Sequence, residues 1–235
     1  MPFYLDIQNI QGFPPVELAD RSGLLAVGGD LSPERLILAY SMGIFPWFNQ
    51  NEPILWWSPN PRFILFPEKV IVSKSMKQIL RAKKYQVTFD QNFPEVIKNC
   101  QKIYRPKQNG TWITDEIVDS YIKLHEIGFI HSVEVWEENQ LVGGLYGGAM
   151  GKCFFGESMF AKKSNASKVG FLTLVRNLQL QNYQIIDCQV YTKHLESLGA
   201  EKMPRSSFLK YVTANAQTSF EKENWNLKFQ KEFEW

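Results

Sequence analysis

The segment from Gly43 to Arg62, GIFPWFNQNEPILWWSPNPR, constrains this chain more than any other. It places four prolines (Pro46, Pro53, Pro59 and Pro61) among Phe45, Trp47, Phe48, Trp56 and Trp57. Proline fixes φ and removes a backbone donor, so the segment is expected to be neither a regular helix nor a central strand. Aromatics this dense on irregular backbone either plug a small core or build a platform for a flat or charged ligand. The polar ending Ser58-Pro59-Asn60-Pro61-Arg62 sets a guanidinium beside them, a combination suited to a phosphate or a nucleobase.

A chain of 235 residues can bury one large core, or a main domain with a small companion. With 44% hydrophobic and 21% charged residues it belongs to the globular class, not the disordered or membrane classes. No stretch approaches the roughly 20 apolar residues that span a bilayer. The N-terminal MPFYLDIQNIQGFPP lacks a basic start followed by an apolar run, so no secretory signal is expected. Cys100, Cys153 and Cys188 have no paired metal-ligand spacing, which points to a reducing, cytoplasmic setting and to no metal. Nothing in the pattern calls for an obligate interface, and a monomer is expected.

The net charge of +2 does not by itself announce a nucleic-acid binder. Its distribution is more telling. In VSKSMKQILRAKK, Lys74, Lys77, Arg81 and Lys84 recur at spacings of three and four, behind a serine suited to an N-cap. On a helix that stacks them along one face, either as a solvated surface or as a phosphate-contacting ridge.

Residues 1–62 show little periodicity outside Ser32 to Tyr40, where Ser32 can cap a helix, Pro33 suits its first position and Gly43 ends it. From Phe63 strands and helices alternate. Strands are expected at Phe63–Phe66 and Val87–Phe89, and helices at Phe93–Tyr104 and Thr114–Ile127. A hairpin is expected from Ser132–Trp136 and Gln140–Gly147 around Glu137-Glu138-Asn139, then a strand over Lys152–Phe160. A long helix over Ser167–Gln181, a buried strand at Ile185–Val190, and shorter helices at His194–Leu198 and Ser206–Asn215 follow. The tail beyond Ala216 has no readable pattern. An antiparallel centre closed by a strand–helix–strand crossover is an α+β architecture, in the order found in acetyltransferase-like folds.

Several residues carry candidate chemistry. Glu157 lies in the aromatic strand FFGESMF, where a carboxylate is costly unless paired; Gly156 beside it permits close approach of a ligand. Glu157 either ends the strand in water or binds an ammonium group in a pocket. Strand alternation sends Asp187 and Gln189 to one face of a buried strand, implying a polar cleft, and Cys188 to the other as a packed, inert thiol. His125, His131 and His194 share no local metal-ligand spacing. A Ser158-His194-Asp187 triad lacks a nucleophile elbow and is rejected. The run GGLYGGAMG lacks the ending of a phosphate loop and reads instead as closely approaching strands.

Together these strings resemble the leucyl/phenylalanyl-tRNA–protein transferase family. The resemblance runs from about Phe13 to Val212 and rests on GLLAVGGDLSP (from Gly23), GIFPWF (from Gly43), WWSP (from Trp56), GTWIT (from Gly110), HSVEVW (from His131), GESMF (from Gly156), NASK (from Asn165) and Asp187-Cys188-Gln189. It implies a small N-terminal α/β domain over 1–62, contributing the aromatic loop, and an acetyltransferase-like (GNAT-type) catalytic domain over 63–235. It implies transfer of Leu or Phe, and Met less well, from aminoacyl-tRNA to the N-terminal Arg or Lys of proteins, feeding N-degron-dependent degradation. No cofactor is implied.

By the same resemblance Asp187 orients Gln189, Gln189 hydrogen-bonds the attacking amine, and Glu157 engages the donor's amino group. Gly156 and Ser158 flank Glu157. Leu145, Phe154, Phe171, Leu174, Leu178 and Ile185 would form the side-chain pocket. Trp47, Trp112 and Tyr121 would stack on the terminal adenosine, and Lys74, Lys77, Arg81 and Lys84 would meet acceptor-stem phosphates. Three other readings compete. An acyl-CoA N-acetyltransferase needs a pyrophosphate loop that Ser164–Lys168 does not provide. An RNA-binding module leaves Asp187, Gln189 and Glu157 without purpose, and a peptidoglycan-bridge aminoacyltransferase usually has a longer, duplicated chain.

Overall fold

The computed structural model describes residues 2–7, 12–103, 111–216 and 223–235. Its architecture is α+β, with two sheets and eight α-helices among the described residues.

The four-stranded sheet comes first, from β1 (Phe3–Leu5), β2 (Leu24–Gly28), β3 (Phe45–Pro46) and β4 (Leu55–Trp57), in the order β1-β2-β4-β3. Helix α1 (Pro33–Ser41) lies between β2 and β3 in the chain. Ser32 Oγ accepts the Arg35 N–H at its start, and Gly43 follows its end at φ +69°, a conformation that favours glycine. The proline-rich segment departs from expectation in one respect: Leu55–Trp57, between Pro53 and Pro59, is a central strand paired on both sides. Pro46 sits on the edge strand, where a missing donor costs nothing. Trp56 is fully buried, edge-on to Phe13 at 4.9 Å, with its indole N–H on the Gly28 carbonyl at 2.9 Å. Trp47, by contrast, is 43% exposed. One segment thus both plugs a core and presents a surface.

The second sheet begins with β5 (Arg62–Leu65), followed in the chain by α2 (Lys74–Arg81), β6 (Gln86–Phe89), α3 (Phe93–Lys102) and α4 (Asp115–Glu126). The central hairpin is β7 (Ile130–Glu137) and β8 (Gln140–Met150), joined by Glu138 and Asn139, both left-handed, which is the turn that matches strand twist. Then come β9 (Cys153–Ala161), α5 (Ala166–Leu180), β10 (Ile185–Gln189), α6 (Lys193–Glu196), β11 (Glu201–Met203), α7 (Arg205–Ala216) and α8 (Trp225–Lys228). Their order is β11-β5-β10-β9-β8-β7-β6, and every neighbouring pair is antiparallel except β9 and β10, which α5 joins as a crossover. The expected helix end at Tyr104 lies outside the described residues.

Helices cover both faces of this sheet, and the glycines of β8 make room for them. A Cβ on Gly143 would meet Ala166 of α5 at 2.7 Å, and one on Gly144 would approach Val96 of α3. One core joins α5 to the sheet; the other is continuous from Leu25 and Trp56 of the first sheet through Phe93, Phe129 and Phe208. The tail that the sequence left unread also docks. Trp225 stacks on His131 at 3.8 Å, and Asn177 exchanges two hydrogen bonds with the backbone of Gln230. Among the described residues no helix is long and apolar enough to cross a membrane.

Gly147 sits at a register break between β8 and β9, where a Cβ would lie 2.2 Å from the Phe155 carbonyl oxygen. Gly147→Ala is expected to lower the denaturant midpoint, by about 1–3 kcal/mol of overpacking, without changing the slope.

Candidate active site

The site begins where the parallel pair comes apart. Strands β9 and β10 pair at Cys153–Ile185, Phe154–Ile186 and Phe155–Asp187, and no further. Beyond that point β9 stays with β8, while β10 bulges and stays with β5. The gap is a cavity of about 410 Å³. Gly156, Glu157, Ser158 and Met159 line it from β9, and Ile186 to Val190 line it from β10 and its exit. Leu145 and Tyr146 of β8 and Phe171 of α5 close the apolar side; Phe45, Pro46, Trp47 and Trp112 form another wall.

Glu157 crosses the gap. Its Oε1 accepts the Gln189 side-chain amide at 2.8 Å and the Tyr40 hydroxyl at 2.7 Å, and its Oε2 accepts the Tyr121 hydroxyl at 3.3 Å. The two tyrosine oxygens are themselves 2.6 Å apart. Burial pushes the Glu157 carboxyl up to about 7, helped by the charge of Asp187 and opposed by the three donors. Burial and the neighbouring carboxylate raise both tyrosines well above their ordinary range, so they remain protonated donors at neutral pH.

Asp187 is 1% exposed, and its carboxylate accepts from three donors. Arg62 Nε donates to Oδ1 at 2.8 Å and Arg62 Nη2 to Oδ2 at 2.6 Å, a bidentate ion pair. The Gln189 backbone N–H donates to Oδ1 at 2.9 Å, and Gln189 has φ +62°. The bulge interrupts strand alternation, so Cys188 lines the cavity together with Asp187 and Gln189 instead of facing away. Its thiol is nevertheless held protonated, pushed up by burial and by Asp187. His194 also lines the cavity, with its pKa lowered by burial and by Lys168.

Most of the residues nominated from sequence meet here: Glu157, Gln189, Asp187, Gly156, Ser158, Leu145, Phe154, Phe171, Trp47 and Trp112 all line the cavity. Tyr121 lies behind it, bonded to Glu157. Leu174, Leu178 and Ile185 are fully buried and do not line it. Ile185 faces the opposite core, and its neighbour Ile186 lines the cavity, because successive strand residues point to opposite faces. The four basic residues also lie elsewhere. Lys74, Lys77 and Arg81 are on α2, Arg81 donates to the Trp235 carbonyl, and Lys84, beyond the helix end, pairs with Glu137 at 2.9 Å.

Two site residues were not singled out for these roles. In sequence the Arg62 guanidinium suits a phosphate or nucleobase; its fork is instead held by Asp187. The signal was the buried aspartate itself, which needs a cation. In sequence Tyr40 is only part of a helix, and nothing local distinguishes it from a core tyrosine. Among the described residues no cluster of three or more His, Cys, Asp or Glu side chains could hold a metal ion.

An apolar cleft holding a carboxylate and an amide, with its thiol protonated, suits direct transfer between two bound substrates. The comparisons agree with such a class. Family models described as leucyl/phenylalanyl-tRNA protein transferase and its N-terminal domain match residues 64–213 and 29–60. The leucyl/phenylalanyl-tRNA–protein transferase of Syntrophus aciditrophicus is 54% identical over 214 residues, covering 91% of this chain and 90% of that protein. Those of Flavobacterium johnsoniae and Pseudomonas fluorescens are 56% and 55% identical, covering 84% and 87% of this chain and 93% and 91% of their own. Among solved structures, L-PGS from Bacillus licheniformis is a distant likeness, 12% identical with a TM-score of 0.39 over 74% of this chain and 57% of that one. The chain belongs to the leucyl/phenylalanyl-tRNA–protein transferase family, and it is an aminoacyltransferase.

The raised carboxyl of Glu157 has a stability consequence. The folded state holds the proton more tightly than the unfolded chain, so stability is lost as pH rises from the ordinary glutamate range through about 7. Glu157→Gln removes this loss. Its urea midpoint is expected to gain on wild type between pH 5 and pH 8, by roughly 1–3 kcal/mol.

Proposed function

We propose that this chain, acting as a cytoplasmic monomer, moves Leu or Phe, and Met less well, from aminoacyl-tRNA to the N-terminal Arg or Lys of acceptor proteins. The products would enter N-degron-dependent degradation. The observation that carries this reading is the Glu157–Gln189 hydrogen bond across the split between β9 and β10, at the polar end of an otherwise apolar cavity.

The donor is an ester, already activated, so no covalent enzyme intermediate is required. Catalysis then consists of holding an amine against a carbonyl, favouring the neutral form of an amine whose pKa is ~8, and supporting the developing oxyanion. Glu157 receives the donor's amino group. Gln189 gives its amide nitrogen to Glu157, which leaves its amide oxygen to accept a hydrogen bond from the attacking amine. An amide is a poor base, so the proton leaves through water or the ribose hydroxyl. Asp187 orients Gln189 through the backbone N–H.

Leu145, Phe154 and Phe171, with Met159 and Ile186, offer the donor side chain an apolar pocket. Unbranched and aromatic side chains suit it, while β-branched ones are rejected by the modest factor that methyl-scale differences allow. Trp47 and Trp112, in the cavity wall, would stack on the terminal adenosine. Lys74 and Lys77 are the first candidates for acceptor-stem phosphates; Arg81 and Lys84 would exchange an internal partner for one. The crossover through α5 and the parted parallel pair support a GNAT-type catalytic domain over 63–235, behind a small N-terminal domain over 1–62.

Labelled Leu or Phe on tRNA is expected to transfer to a peptide beginning with Arg, and not to one beginning with Ala; acetyl-CoA is expected to donate nothing. Label passing equally to both peptides, or acetyl transfer, would refute the reading. Glu157→Ala is expected to lower transfer about 100- to 1,000-fold while aminoacyl-tRNA affinity changes little. Lys74→Ala with Lys77→Ala is expected to weaken donor binding and to flatten its dependence on salt, measured by titration at several ionic strengths.

A further inference from the structure

We propose that Arg62 is a positioning residue of the reaction: through Asp187 it fixes the left-handed turn that holds Gln189 against Glu157. The inference rests on the reading of Gln189 as the group that receives the attacking amine.

Arg62 is 1% exposed and does not line the cavity, so it acts through other groups. Its guanidinium sits behind the wall. Its carbon lies over the ring of Phe45 at 4.7 Å and over that of Phe208 at 4.8 Å. Its edge presents two donors to the two oxygens of Asp187. Phe45 and Asp187 both line the cavity, so one buried cation braces the aromatic segment and the end of β10 together.

Gln189 is where that bracing matters. A non-glycine residue at φ +62° is disfavoured unless its surroundings hold it there. Here the bulge moves β10 from Asp187–Ile64 to Gln189–Phe63 in its pairing with β5, and Oδ1 of Asp187 accepts the Gln189 N–H. Loss of that acceptor would free Gln189 to leave this conformation, and its side-chain amide would no longer be held against Glu157.

The Asp187 carboxylate that accepts this N–H is buried, and a carboxylate buried there calls for a cationic partner. Glu157, Cys153 and Cys188, which feel the pair's charges, supply no positive charge, and Arg205 donates to the Ser58 carbonyl. Arg62 supplies the charge and, through its fork, the orientation. Lysine would supply the charge alone.

The test is steady-state transfer from Leu-tRNA to an Arg-initiated peptide by wild type, Arg62→Lys, Asp187→Asn and the double variant Arg62→Met with Asp187→Asn. The double variant replaces both partners and leaves no uncompensated charge buried, which keeps a folded protein to measure. Arg62→Lys is expected to lower kcat about tenfold or more while the donor KM stays within about twofold, because ground-state binding does not use the pair. The double variant is expected to be no slower than about the slower of Asp187→Asn and Arg62→Lys, since all break one connection. A wild-type kcat in Arg62→Lys, or losses that multiply in the double variant, would overturn the role of Arg62 alone. A wild type that transfers nothing to the Arg-initiated peptide would overturn the reading of the site, and this inference with it.

Discussion

The parallel pairing of β9 with β10 stops after Phe155 and Asp187, and the site depends on that stop. A sheet gains by pairing every backbone group, so two neighbouring strands part only where other partners are found for the groups released. Here β9 continues with β8, β10 continues with β5, and the Asp187 carboxylate accepts the Gln189 N–H. The space between is lined by side chains from both strands, and the hydrogen bond from Gln189 to Glu157 spans it.

That arrangement puts a carboxylate in a place where carboxylates are expensive. Three hydrogen-bond donors soften the cost, and two of them are tyrosines buried in the adjoining core. Tyr40 comes from α1, before the second sheet begins, and Tyr121 from α4. The first 62 residues therefore contribute more than an aromatic wall, because one of their buried side chains touches the acid of the site. Charge is distributed with the same economy. Asp187 is matched by Arg62, and Glu157 is left poised, its charge opposed by burial and by Asp187 but supported by hydroxyls and an amide.

Features with local causes were readable in the residues. Ser32 with Pro33, and Ser73, cap helices where expected, and the helix expected from Thr114 begins there, since a capping hydroxyl and its acceptor geometry need only a few consecutive residues. The long periodic segments of α4 and α5 and the β7–β8 hairpin follow the same rule. The short strands β1, β2, β4 and β11 were not readable. Each has only three to five residues and is held by its neighbours, not by its own pattern. The docked tail was likewise unreadable, because Trp225 is explained only by the imidazole of His131 beneath it.

By itself, the sequence determined the order of elements, the aromatic segment, and the isolation of Glu157, Asp187 and Gln189 among apolar residues, because these depend on residue type and short spacing. Tertiary structure alone decided which of these groups meet. The bulge at Gln189 brings Cys188 to the cavity, parity selects Ile186 over Ile185, and Arg62 is taken by an aspartate 125 positions away. The reason is physical: a buried charge is satisfied by whichever opposite charge the fold delivers to it, and strand register, which a single extra residue can shift, decides the face on which every side chain arrives.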